Sequence, residues 1–123
     1  MIKVKDIMTK EVITVTQDSS LREAANLMAS KAVSSLVVVE KNKLISIISE
    51  NDVIKGIISK KAKVGDVTTK EFITISSMTR FSEIVKSLRE EKIKRFPVVE
   101  NERLVGLITE TDVIEATRDF TRF

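Results

Sequence analysis

A chain of 123 residues with 42% hydrophobic and 32% charged side chains has globular composition. It is long enough for one compact domain, or for two half-size units sharing a core. The net charge of +3, from 21 basic and 18 acidic residues, is too small and too dispersed to announce a nucleic-acid surface. Cysteine and histidine are both absent, which excludes disulfides and thiol chemistry and removes the usual general base and commonest metal ligand. Catalytic and metal sites are therefore not expected, and an enzyme is the least favoured class.

Taken in chain order, the N-terminus carries charges throughout Met1-Ile2-Lys3-Val4-Lys5-Asp6 and has no leader pattern. No apolar run approaches the ~20 residues of a membrane span, so the expected location is cytoplasmic. A short extended segment follows at residues 12–16. Leu21, Ala24, Ala25 and Met28 then fall on one helical face, with Ser20 and Glu23 spaced as a capping box. Two apolar strands, residues 36–39 and 44–49, flank the polar turn Glu40-Lys41-Asn42-Lys43, the spacing of an antiparallel hairpin. A closing helix at about residues 51–59 groups Val53, Ile54, Ile57 and Ile58, and Ser59-Lys60-Lys61-Ala62-Lys63 reads as a linker.

The pattern then recurs sixty residues on. Asp66 repeats Asp6, Lys70-Glu71 repeats Lys10-Glu11, Ile73-Thr74 repeats Ile13-Thr14, Val98-Val99-Glu100 repeats Val38-Val39-Glu40, and Asp112-Val113-Ile114 repeats Asp52-Val53-Ile54. Such regularity means duplication of one structural unit. The expectation is an α+β fold of two tandem β-α-β-β-α repeats, residues 1–60 and 61–123, packed about a pseudo-two-fold axis because ~60 residues bury too little surface alone. The closing helices differ: Ile57 and Ile58 become Thr117 and Arg118. Ile, Lys and Glu are abundant while Gln occurs once, a balance leaning towards a thermophilic source.

The repeated junction Gly106-Leu107-Ile108-Thr109-Glu110-Thr111-Asp112, its partner ending in Asp52, the entry Asp6-Ile7-Met8-Thr9, the helix start Ser20-Leu21-Arg22-Glu23-Ala24 and the strand Arg95-Phe96-Pro97-Val98-Val99 together resemble the CBS domain in tandem-pair form. The resemblance covers essentially the whole chain, so the expectation is a stand-alone pair with no catalytic or transporter domain attached. It implies a regulatory module that binds adenosyl compounds (AMP, ADP, ATP or S-adenosylmethionine) in clefts between the repeats and signals to an unidentified protein partner, with no cofactor required. Carried onto these residues, it implies that Asp112 accepts hydrogen bonds from ribose hydroxyls and Thr109 donates to a phosphate. Adenine would lie in a slot using Ile93, Phe96 and Pro97, with Ile73 and Thr74 nearby. The first-repeat counterparts are Asp52, Ser49, Val33, Leu36 and Val37, with Ile13 and Thr14.

The chemistry suits that reading. A carboxylate accepts from both hydroxyls of a diol, and a helix N-terminus favours phosphate. Lys94 and Arg95 would add positive charge in the second repeat, where the first has Ser34 and Ser35. Gly106 becomes Ser46, Pro97 becomes Val37, and Ala32 is matched by Lys92; on balance the second site lies closer to the family pattern. The competing reading of Ser49-x-x-Asp52 and Thr109-x-x-Asp112 is a plain capping box. A dimerisation scaffold with empty clefts and a nucleic-acid binder stand as alternatives of other classes. The cluster of Ile54, Ile57 and Ile58, together with the resemblance, points to a homodimer.

Overall fold

Two hairpins with the same turn carry the fold. In the computed structural model, which describes residues 1–68, 72–91 and 95–120 with side chains to Arg118, strands β2 (Ser35–Glu40) and β3 (Lys43–Ser49) pair antiparallel, as do β4 (Arg95–Glu100) and β5 (Arg103–Thr109). Each turn has two central residues in the left-handed region, Lys41 (φ 49°) with Asn42 (φ 68°) and Asn101 (φ 51°) with Glu102 (φ 67°). These are type I′ turns, whose twist matches that of the flanking strands. Opposite charges face each other across both, Glu40 from Lys43 and Glu100 from Arg103. A bulge interrupts each hairpin at the same place, between Val38 and Val39 and between Val98 and Val99.

Helices follow the expected faces. Elements α2 (Leu21–Lys31) and α3 (Glu50–Ile58) accompany the first hairpin, and α4 (Phe81–Glu90) and α5 (Glu110–Phe120) the second. Ser20 Oγ accepts from Glu23 N–H at 3.0 Å, the Ser half of the anticipated box. At its other end α2 closes on Ala32 in the left-handed region (φ 54°), and Val33 N–H bonds to Met28 O at 3.0 Å, a Schellman-type closure. The α+β class and the paired repeat architecture hold.

The extended entry segments are shorter than the alternation implies. Residues 12–16 reduce to β1 (Thr14–Val15), parallel to β2, and the mirror segment to a single bridge from Ile75 to Val98. Two pieces of structure were not expected at all: a one-turn helix, α1 (Val4–Ile7), and a 3-10 turn at Val64–Asp66. Each is tied at its start by the repeated aspartate. Asp6 Oδ2 accepts from Lys3 N–H at 2.9 Å, and Asp66 Oδ2 from Lys63 N–H at 3.3 Å.

Contacts divide the chain into two compact units, one of Ile13–Phe72 and one of Met1–Val12 with Ile73–Phe123. The first buries Val15, Leu21, Ala24, Met28, Leu36, Val38, Ile48, Val53 and Val64; the second buries Val4, Ile84, Phe96, Val98, Ile108 and Val113. The entry turn that contributes to each core therefore begins sixty residues apart in the sequence: Val64 serves the first hairpin's core and Val4 the second's, both fully buried.

Glu100 fastens the second unit at the end of β4. Its Oε1 accepts from Ser77 Oγ at 2.8 Å, Ser77 N–H at 2.8 Å and Ser76 Oγ at 2.9 Å. The Ser77 hydroxyl, then the Ser77 amide, then the Ser76 hydroxyl hold this carboxyl below its usual range. A depressed folded-state pKa contributes stability above the unfolded value, near 4.3, and loses it as pH falls through the folded value. Glu100→Gln should accordingly melt below wild type at neutral pH, and the gap should close on acidification. A melting-temperature series from pH 7 to pH 3 in which the gap stays constant would contradict this.

Candidate functional site

Each hairpin ends by handing its chain to a helix, and the junction is where the sequence placed its chemistry. Thr109 is the last residue of β5 and caps α5. Its N–H and Oγ1 donate to Asp112 Oδ2 at 2.9 and 3.1 Å, and Asp112 N–H returns a bond to Thr109 Oγ1 at 3.2 Å. The first unit repeats this at Ser49 and Asp52, with 2.8, 3.0 and 3.3 Å. Both pairs are thus true capping boxes. One carboxylate oxygen, Oδ2, takes both bonds from the capping residue in each copy.

Strand register decides what stands beside each box. Arg95 is the cross-strand partner of Thr109, whereas Ser35 is the partner of Ser49. The second junction therefore combines a cation, a hydroxyl, the N-terminus of α5 and a carboxylate. The first has only neutral hydroxyls in place of the cation. On the other side of β4, Ile75 N–H bonds to Pro97 O at 3.1 Å and Val99 N–H to Ile75 O at 3.0 Å. This parallel register brings Ile73 and Thr74 to the same end of the sheet as Arg95, Phe96 and Pro97. Strand spacings of about 5 Å make these residues neighbours. Ile73 is 37% exposed and Thr74 is exposed, so they present side chains to solvent there. In the first unit Val37 N–H bonds to Ile13 O at 3.2 Å and Thr14 pairs with Val37, which assembles Ile13, Thr14, Leu36 and Val37 likewise.

Two expected slot residues face the other way. Phe96 is fully buried among Val4, Ile84, Val98, Ile108 and Val113, and Leu36 is 1% exposed among Leu21, Val38 and Ile48. Side chains alternate along a strand, and the bulge lies beyond both residues, so Phe96 and Leu36 join Val98 and Val38 beneath the helices. Their place is the core. Pro97 and Val37 point to the opposite face and belong to neither core cluster, although both are buried. Val33 and Ile13 are partly buried and pack against the first core. Ile93 and Lys94 lie outside the described residues.

The sequence reading did not connect Thr9 with Asp112. Thr9 Oγ1 donates to Asp112 Oδ1 at 3.3 Å, with a longer branch of 3.5 Å to Oδ2. A signal existed, since threonine occupies position 9 and again position 69, but a hydroxyl in an entry segment carries no mark of what it will meet.

The profile of the CBS domain matches residues 4–59 and 64–119. The chain therefore belongs to the CBS domain family, as a tandem pair. It is 35% identical over 115 residues to the uncharacterized protein MJ1232 of Methanocaldococcus jannaschii, an alignment covering 93% of this chain and 39% of that protein. The chain thus spans about two fifths of the length of that curated relative. Among solved structures it is similar to CBSX2 in complex with AMP, the Arabidopsis thaliana CBS-pair protein, with a TM-score of 0.88, 27% identity, and 98% and 99% of the two chains covered. It is equally similar to the CBS domain pair of protein MJ0100 in complex with 5′-methylthioadenosine and S-adenosyl-L-methionine, with a TM-score of 0.88, 26% identity, and 98% of each chain covered. Among the described residues no helix is long and apolar enough to cross a membrane.

Proposed function

We propose that this chain is a non-enzymatic, cytoplasmic sensor module that binds an adenosyl ligand at its strand-to-helix junctions and reports occupancy to a protein partner. The observation that carries the reading is the cross-strand pairing of Arg95 with Thr109 beside the Thr109–Asp112 box. A cation next to a helix N-terminus suits a phosphate, and a carboxylate one helical turn on suits a ribose diol. Structural relatives crystallised with AMP, and with 5′-methylthioadenosine and S-adenosyl-L-methionine, support the ligand class. The two junctions should be unequal, the second being tighter for a phosphate-bearing ligand, because the first has Ser35 where the second has Arg95. A panel of AMP, ADP, ATP and S-adenosylmethionine scored by melting temperature tests this: a ligand at a hundred times its Kd stabilises by about 2.7 kcal/mol. No shift with any member at millimolar concentration would sink the reading and return the junctions to plain helix caps.

The same module should be a homodimer. On the first unit α2 and α3 frame an apolar groove of about 270 Å³ lined by Ala25, Met28, Ala29, Glu50, Val53 and Ile54. Alongside it Ile54, Ile57 and Ile58 are 54%, 59% and 75% exposed, more apolar surface at one helix end than a solvated face normally carries. Light scattering should return twice the chain mass at micromolar concentration. A monomer mass at high micromolar concentration would defeat this expectation.

A further inference from the structure

The Asp112 carboxylate serves a second segment besides its own cap. Met8 and Thr9 cross β5 as a strap: Thr9 N–H donates to Leu107 O and Leu107 N–H to Thr9 O, both at 2.9 Å. Gly106 leaves room for that crossing. A Cβ there would sit 2.5 Å from Met8 Sδ, which would have to turn aside, and 3.0 Å from Thr9 O, tighter than an ordinary side-chain contact. Seated this way, the strap aims the Thr9 hydroxyl at Asp112, 3.3 Å from Oδ1 and 3.5 Å from Oδ2. Oδ2 already accepts from the Thr109 amide and hydroxyl. Thr9 is therefore the partner that Oδ1 has among the described residues.

A vicinal diol binding side-on to a carboxylate directs one hydroxyl at each oxygen. With Oδ2 engaged by the cap, such a ligand depends on Oδ1, where the Thr9 hydroxyl stands. The Thr9 bond is long, forked and exposed to water, so it is the weaker claim. We propose that Thr9 is a latch: its hydroxyl holds the strap to Asp112 and is displaced when a ligand's vicinal hydroxyls take that carboxylate. Occupancy at Asp112 then loosens Met8 and Thr9 from β5, which converts a binding event into a change in the N-terminal segment. The displacement step rests on the adenosyl reading of the site; the tether does not.

Thr9→Val removes the donor and keeps the shape of an exposed side chain. Two measurements on the full chain test the latch. Amide hydrogen exchange without ligand should be faster at position 9 and at Leu107 in the variant. Affinity for AMP should rise roughly three- to tenfold, the worth of one ordinary hydrogen bond no longer opposing the ligand. Affinity for 2′,3′-dideoxyadenosine monophosphate, which lacks the diol, should not change. Weaker or unchanged AMP binding in the variant, or an equal gain for the dideoxy compound, overturns the latch. If no adenosyl ligand binds either protein, the adenosyl reading falls on its own and exchange decides the tether: faster exchange at Leu107 in Thr9→Val supports it, and unchanged exchange overturns it.

Discussion

Asp112→Asn should weaken AMP and ATP binding roughly ten- to a hundredfold while the fold survives. An amide still offers one oxygen to the Thr109 amide and hydroxyl, so the helix cap is only impaired, at a cost of a few tenths to about 1 kcal/mol. A ribose diol meets a harsher change. It loses a charged acceptor and meets an N–H₂ donor where it needs an oxygen; hydrogen bonds to charged groups are worth about 1.5–3 kcal/mol. Asp52→Asn should act at the first junction and leave the second intact. Melting temperature without ligand, followed by calorimetric titration on each variant, separates capping from binding. An Asp112→Asn protein that binds as wild type would refute the ribose role and leave the residue a cap.

Phe96→Ala should be among the most damaging single substitutions to stability, at about 3–5 kcal/mol. Phe96 is fully buried and shares its core with residues from α1, α4, β5 and α5. Were Phe96 instead a wall of an adenine slot, truncation would reduce affinity and barely move the melting temperature. Denaturant unfolding decides: a loss under ~1 kcal/mol would place the ring at the ligand after all. Pro97→Ala is the useful companion, since Pro97 lies on the opposite face and in neither core cluster.

That contrast shows where the sequence was legible and where it was not. Hairpins, helix faces and both capping boxes were readable because they rest on local spacing: alternation for the strands, the i, i+3, i+4 face for α2, and hydroxyl-x-x-carboxylate for the caps. Family resemblance brought Phe96 and Leu36 to the site as neighbours of Pro97 and Val37. Adjacent positions in a strand face opposite ways, so a motif names a stretch without naming which of its side chains turn outward. The charge of Arg95 was expected at the second site, but its place as the direct cross-strand partner of Thr109 was not readable, because that register is set by the I′ turns and the bulges at Val38 and Val98, and neither Lys41-Asn42 nor Asn101-Glu102 has the glycine that usually announces such a turn. The Thr9–Asp112 contact spans 103 positions, beyond the reach of any local pattern.

The repeat period gives a copy its length but leaves its phase open. Val64 lies in the core beside Leu21 and Val53, and Val4 in the core beside Ile84 and Phe96. The inherited stretch and the foldable stretch are thus offset by the twelve residues Met1–Val12. Excising residues 1–60 would strand Val4 without its hydrophobic surroundings and deprive Leu21 of Val64. Residues 13–72 would instead carry a whole core. In genealogical terms, the place where the copies join in sequence need not be the place where a self-sufficient unit begins: a copy cut at residue 13 keeps its hairpin and the turn that completes its core on one chain, and a copy cut at residue 1 does not.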